Sequence, residues 1–266
     1  MFRKAFLPNI RLFLHKDNIN VSEWNRLSHF NKPLLLPRPG GDGCVRCAVV
    51  GTGGILNGSR MGQADKRLIL MSFSNRVNGA MTTGFEADVG HRTSVYVHSA
   101  HSIVKSPQLL KKFGYKSAPH DEGIKYVMMP EAMKDFQWLE GLLKGTNVTS
   151  GPYCNQIQIR VFCFNFFLIA HRFLMSMKME SKHWSVVRPT NGAFTLFLAL
   201  HTCDIVNTYG FMTDDYKKYS DYYVQKTVMK KNVHHAHHDY ELELNLWKKL
   251  HERKIMKLYQ RKKQKH

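Results

Sequence analysis

The chain has 266 residues, of which 43 % are hydrophobic and 12 % aromatic, enough to bury a full core. Disordered, collagenous and low-complexity classes are thereby excluded. Lys and Arg number 39 against 20 Asp and Glu, a formal charge of +19, which favours a polyanion, a nucleotide or an acidic surface as partner and leaves the fold open. Five cysteines are too few for a disulfide-built miniprotein, and the odd number leaves one thiol over.

Residues 1–14 carry Arg3, Lys4 and Arg11 among apolar side chains and no acid. They read as a transit-like or interfacial segment, or as ordinary stem sequence, without the long apolar core of a secretory signal. Residues 31–44, with Pro33, Pro37, Pro39, Gly40, Gly41 and Gly43, read as a linker entering a domain at Cys44. An apolar run from Cys47 ends at Gly51, as a buried parallel strand does where it enters a ligand loop. Further strands are expected over residues 67–73 and 94–98. A helix is expected over 136–143, with Trp138, Leu139, Leu142 and Leu143 on one side. The longest apolar run, 161–170, is interrupted by Asn165 and falls far short of the ~20 residues that cross a bilayer. Thr190-Asn191-Gly192 precedes a uniformly apolar stretch, 193–200, expected to be a buried helix, and a strand follows over 205–211. Asp239 stands as N-cap before a helix over 239–252, with Leu242, Leu246, Trp247 and Leu250 at helical spacing. Residues 248–266 hold nine Lys or Arg against Glu252 alone. Strands alternating with helices imply an α/β sheet that gathers ligands at its strand ends.

Three clusters could carry chemistry. Glycines 51, 53 and 54 after a strand let backbone approach a phosphate. A dinucleotide fingerprint is excluded, because Leu56 stands where its third glycine belongs and Ser72 and Ser74 where its acid would be. Thr190-Asn191-Gly192, at the start of a helix, suits an anion or a ribose, or simply caps the helix. His234, His235, His237 and His238, followed by Asp239 and Glu243, fit a zinc site, a general base near neutral pKa, or an exposed turn. The basic residues gather in the tail, and no helix-turn-helix, zinc-finger or RNA-recognition pattern is present, which argues against a nucleic-acid partner. Two N-glycosylation sequons begin at Asn57 and Asn147.

Taken together, these pieces resemble the animal sialyltransferases. Residues 47–56 (CAVVGTGGIL), 75–80 (NRVNGA) and 88–93 (DVGHRT) resemble the family's large motif; 188–194 (RPTNGAF), 199–204 (ALHTCD) and 209–211 (YGF) resemble its small motif. Residues 219–223 (YSDYY) sit where the third motif belongs, and His238 with Glu243 matches the very short motif. Residues 17–30, 246–251 and 255–261 are similar to the N-acetylgalactosaminide α2,6-sialyltransferases. Thr52 stands where the family usually has Asn, Tyr222 where it has His, and residues 154–167 do not resemble it.

The resemblance implies a Rossmann-like sheet flanked by helices, a variant of the GT-A glycosyltransferase fold. A stem-like segment over 1–43 would precede a catalytic domain over 44–266, with residues 152–169 atypical. The implied reaction moves sialic acid from CMP-sialic acid to the 6-hydroxyl of GalNAc on glycoprotein Ser or Thr, with inversion and without a metal or other cofactor. The implied setting is the Golgi lumen, as a type II membrane protein whose anchor is missing from this sequence. By motif position His238 is the general base. Asn78, Thr190, Asn191 and Gly192 hold the CMP part, Thr52 and Gly53 lie near the nucleotide, and Tyr222 and Glu243 support the site. Cys47 and Cys203 take the places of the family's disulfide, which would fix the two nucleotide loops relative to each other. Thr52, Tyr222 and the atypical segment also leave open a relative that only binds the CMP-sugar or the glycoprotein.

Overall fold

The structure is a computed structural model describing residues 40–64, 70–72, 80–129, 133–146, 162–163, 189–225 and 238–261. The N-terminal basic segment, most of the proline-rich linker, Asn78, Asn147, the bulk of 152–169 and His234, His235 and His237 lie outside these residues.

The described strands are β1 (Arg46–Val50), β2 (Leu70–Ser72), β3 (Thr93–His98), β4 (Lys125–Met128), β5 (Phe162–Cys163), β6 (Ile205–Tyr209) and β7 (Lys257–Leu258). They form one sheet in the order β5-β4-β3-β2-β1-β6-β7, and each neighbouring pair runs parallel. The described helices are α1 (Met61–Ala64), α2 (Glu86–Val89), α3 (Ala100–Leu109), α4 (Met133–Lys144), α5 (Asn191–Thr202) and α6 (Tyr240–Glu252).

Parallel strands covered on both faces should be apolar at successive positions, because alternate side chains enter opposite layers. In β1, Val49 joins the layer beneath α5 and α6, together with Val95, Val97, Val127 and Val206. Ala48 and Val50 enter the opposite layer with Val89 of α2 and Tyr209. Farther along that same side, Tyr96, Tyr126 and Met128 meet Ile103 and Val104 of α3 and Trp138 and Leu139 of α4. His98, at the end of β3, is fully buried in a three-ring cluster with Tyr96 and Tyr126. Its Nδ1 lies 3.2 Å from the Ser99 carbonyl, and burial pushes its pKa down to about 4.

From Gly192 to Ala199 every residue of α5 is buried, as the apolar stretch in its sequence foretold, and its apolar side chains share a core with Val49, Val95 and Val206 of the sheet. Expected strands and helices recur at β1, β2, β3, α4, α5, β6 and α6, with ends shifted by a few residues. The helix α3, which ordinary propensity leaves indistinct, is set by a capping box. The Ser99 hydroxyl accepts from Ser102 N at 3.2 Å, and Ser99 N donates to Ser102 Oγ at 2.9 Å.

The chain winds outward from β1 in both directions, to β2 on one side and to β6 on the other. The crevice beyond the carboxyl ends of β1 and β6 is therefore the topological switch point, where open α/β sheets gather ligands. The helices α5 and α6 lead into β6 and β7 and run back along the sheet, so their N-termini lie at this same edge.

The Cys47–Cys203 bridge is present, with Cα atoms 6.0 Å apart. The way it was expected to act needs correction. Cys47 is the second residue of β1 and Cys203 follows the last residue of α5, so the bond sits at the N-terminal edge of the sheet. The Thr190 turn lies at the other end of α5, about 18 Å away along a 12-residue helix. The bond therefore anchors the foot of α5 to β1 and reaches the two loops only through those elements.

Candidate functional site

Two groups of residues occupy the carboxyl edge of the sheet. The first is the glycine turn after β1. Gly51 N donates to Tyr209 O at 2.7 Å, Gly53 N to Gly210 O at 3.0 Å and Gly54 N to Ser220 O at 3.0 Å. A Cβ on Gly53 would stand 2.5 Å from Gly210 O, and one on Gly54 2.2 Å from Ser220 O. Gly210 itself takes a φ of +73°, a conformation open to glycine at little cost. These glycines are therefore demanded first by backbone packing, turn against turn, and their N–H groups are already spent. Thr52, buried at the centre, accepts Tyr223 N on its carbonyl at 2.8 Å.

The loop over 219–225 is stitched to this turn. Asn57 Nδ2 donates to Tyr223 O at 3.1 Å, and the buried Tyr223 hydroxyl donates to Met81 O at 2.6 Å. Tyr222 is half-buried, and its carbonyl accepts from Ser220 Oγ at 2.8 Å and from Gln225 N at 3.0 Å. Asp88 of α2 completes the frame: its two carboxylate oxygens accept from Gly58 N and Arg60 N, both at 2.8 Å. Ser220, Tyr223 and Asp88 were not singled out as site residues in the sequence, although each lies inside a quoted motif. Their part becomes visible only through contacts 28 to 166 residues apart along the chain.

The second group joins two helix N-termini. Thr190 is N-cap of α5, its Oγ1 accepting from Ala193 N at 3.1 Å. Glu243, in the first turn of α6 and only 5 % exposed, accepts from Thr190 N on Oε1 at 2.7 Å and from the Thr190 hydroxyl on Oε2 at 2.6 Å. Burial pushes the Glu243 carboxyl up to about 7, and the two bonds from Thr190 pull the other way. Asp239 caps α6 as expected, accepting from Leu242 N at 2.9 Å. His238 precedes that cap, half-buried, with its ring centroid 5.8 Å from that of Tyr240. Asn191 and Gly192 form the first two residues of α5 beside the Thr190 junction.

The structure thus brings Thr52 and Gly53 together with the 219–225 loop, and Thr190, Asn191 and Gly192 together with Glu243 at the helix that follows His238. Asn78 lies outside the described residues. Among the described residues, no three His, Cys, Asp or Glu side chains gather as metal ligands, and no helix is long and apolar enough to cross a membrane.

A doubly wound parallel sheet with facing glycine turns at its switch point and two helix N-termini beside them defines an α/β architecture of the nucleotide-binding kind. It is the GT-A-like arrangement of solved sialyltransferases. One crystal structure of a mammalian sialyltransferase superposes with a TM-score of 0.60 at 22 % identity, covering 96 % of this chain and 88 % of the other. A mammalian sialyltransferase in complex with Gal-beta-1-3GalNAc-ortho-nitrophenol gives 0.60 at 20 % identity, covering 98 % and 94 %. The family model for glycosyltransferase family 29 (sialyltransferase) matches residues 13–255, and the chain belongs to that family.

Curated relatives include alpha-N-acetylgalactosaminide alpha-2,6-sialyltransferase 1 of Gallus gallus, 39 % identical across 97 % of this chain and 52 % of the relative. The Homo sapiens protein of the same name is 36 % identical across 97 % of this chain and 50 % of its own length. Alpha-N-acetylgalactosaminide alpha-2,6-sialyltransferase 2 of Homo sapiens is 37 % identical across 98 % of this chain and 79 % of that protein. The chain spans about half the length of the first two.

Proposed function

We propose that this chain transfers sialic acid from CMP-sialic acid to the 6-hydroxyl of GalNAc linked to Ser or Thr of glycoproteins, with inversion, and that His238 is the general base. The observation that carries this reading is the Glu243–Thr190 junction. It joins the helix that follows His238 to the turn at the head of α5, on the sheet edge that also bears the glycine turn. The names of the relatives support the transferred sugar, the acceptor sugar and the linkage.

As the bond to CMP breaks, the anomeric carbon gains positive character and charge grows on the departing phosphate. Dipoles fixed in advance where that charge appears lower the barrier. The head of α5, at Asn191 and Gly192, supplies such a dipole, with Thr52, Gly53 and Asn78 framing the nucleotide. Tyr222 adds bulk and a hydroxyl beside it in place of a cation. On the opposite face His238 accepts the proton of the 6-hydroxyl as its oxygen attacks, and an imidazole is suited to that near neutral pH. Residues 44–266 form the catalytic unit and act in the Golgi lumen.

The test is incubation of the purified chain with CMP-sialic acid and a GalNAc-bearing peptide, with linkage read by NMR, beside His238→Ala. Transfer to O6 that falls by about 10²–10⁴-fold in the variant is expected for loss of a general base. Transfer that survives the substitution removes His238 from the mechanism. Failure of both proteins to transfer, with CMP still bound, favours a relative that binds without catalysing.

A further inference from the structure

We infer that Glu243 and Thr190 are positioning residues rather than donor contacts: together they form a clamp that holds the base-bearing end of α6 against the donor-binding head of α5. This inference rests on the reading under Proposed function and assigns two of its residues a different task.

The first ground is that the polar groups of Thr190 are already spoken for. Its N–H goes to Glu243 Oε1, its hydroxyl hydrogen to Glu243 Oε2, and its hydroxyl oxygen receives Ala193 N–H. A directed chain therefore runs from Ala193 N–H through the Thr190 hydroxyl to the Glu243 carboxylate. Thr190 is 1 % exposed, so a sugar or phosphate reaching it would have to displace this chain from within the protein.

The second ground is that Glu243 has no task on its own helix. Asp239 already caps α6 through Leu242 N, and Glu241 of the same turn is exposed. A carboxylate buried without a partner is strongly disfavoured, so its retention at 5 % exposure needs the two bonds that it makes. Its charge also lies at the head of α5, where an anion is favoured by the helix dipole.

The third ground is where the clamp sits. Leu196 of α5 and Leu246, Trp247 and Leu250 of α6 belong to one apolar core, shared with the sheet, that holds the bodies of both helices. The clamp joins their heads by two hydrogen bonds, five residues along the chain from His238. Cutting it leaves both helices packed and lets their N-termini drift relative to each other. A base misplaced by about 1 Å costs on the order of 10²-fold in rate.

The experiment uses the full chain carrying Glu243→Gln, Thr190→Val, both together, and Thr190→Ser. CMP affinity is read by calorimetry and transfer by kcat and donor KM. For Thr190→Val and Glu243→Gln the clamp predicts CMP affinity within about threefold of the parent while kcat falls at least tenfold. The double variant should be no worse than the poorer single one, since both remove one interaction. Thr190→Ser, which keeps the hydroxyl, should recover most of the kcat lost in Thr190→Val. Weakening of CMP by tenfold or more in Thr190→Val makes Thr190 a donor ligand and overturns the assignment. Multiplicative losses in the double variant, or an unchanged kcat in either single one, overturn it also. If the parent binds CMP without transferring, the proposed reaction fails while the CMP arm still decides whether Thr190 contacts the donor. A parent that binds no CMP overturns both.

Discussion

Removing the bridge by Cys47→Ala together with Cys203→Ala separates stability from site geometry. The two cysteines are 156 residues apart, and release of a loop that long returns to the unfolded chain entropy worth about 5 kcal/mol. Domains are stable by only about 5–15 kcal/mol, so the loss is a third or more of the total. At a urea dependence of about 2 kcal/mol per molar the unfolding midpoint should fall by roughly 2.5 M. The fluorescence of Trp138 and Trp247, both nearly fully buried, reports the transition. The double substitution is preferred to either single one, because a lone partner left beside half-exposed Cys44 could pair with it instead. CMP affinity at low urea should stay within about threefold of the parent, since the bond lies about 18 Å of helix from the Thr190 turn. An unchanged midpoint would refute the entropic argument. A tenfold loss of CMP affinity in a variant that remains folded would refute the placement of the bond away from the site's working parts.

Three further outcomes follow from buried groups. Glu243 holds its proton more tightly folded, at about 7, than unfolded, near 4.5, so its contribution to stability falls as pH climbs through that interval. Glu243→Gln should remove about 3 kcal/mol of that slope, seen by comparing urea midpoints of the two proteins between pH 4.5 and 8; parallel profiles would show that the carboxyl is not so perturbed. Asp239, at the start of the same helix, also disfavours the charge of Glu243. His98 behaves with the opposite sense: its folded pKa of about 4 lies below the unfolded 6.5, so stability is lost as pH falls between them. His98→Phe, in a cluster with two tyrosine rings, should flatten that acid limb by about 3 kcal/mol, and a limb of unchanged steepness would place its origin elsewhere. Gly54→Ala puts a methyl group 2.2 Å from Ser220 O and 2.7 Å from Ser220 N, so the 219–225 loop must move; a destabilisation of about 1–3 kcal/mol is expected by thermal unfolding, and an unchanged midpoint would mean the two turns do not press together.

Much of the sheet was open to reading because parallel strands buried on two faces are short apolar runs, and those from Cys47 and Ile205 end in glycine turns. The cap residues of α5 and α6, Thr190 and Asp239, were visible for a similar reason: an N-cap acts within three residues of itself. Shorter elements escaped. The strand β7 has two residues, and β4 has four with Lys125 at its start, too little for a period to register. In α3, Ser99 and Ser102 set the start by a local exchange of bonds, and Pro107 lies inside the helix, where proline is poorly tolerated.

The alternation of apolar runs and helical periods by itself implied an α/β protein, because those properties are written in local spacing and residue type; the sialyltransferase family came from the resemblance of its motifs, which the family match bears out. Which cysteines pair was also implied by motif position. What only the tertiary structure decided was the work each residue does. Gly53 and Gly54 press against Gly210 and Ser220, the sulfur bridge stands at the far edge of the sheet, and Glu243 crosses 53 residues of chain to hold Thr190. The reason is physical: a hydrogen bond or a steric clash depends on distance in space, and a linear spacing carries no measure of that distance once helices and strands fold back on one another.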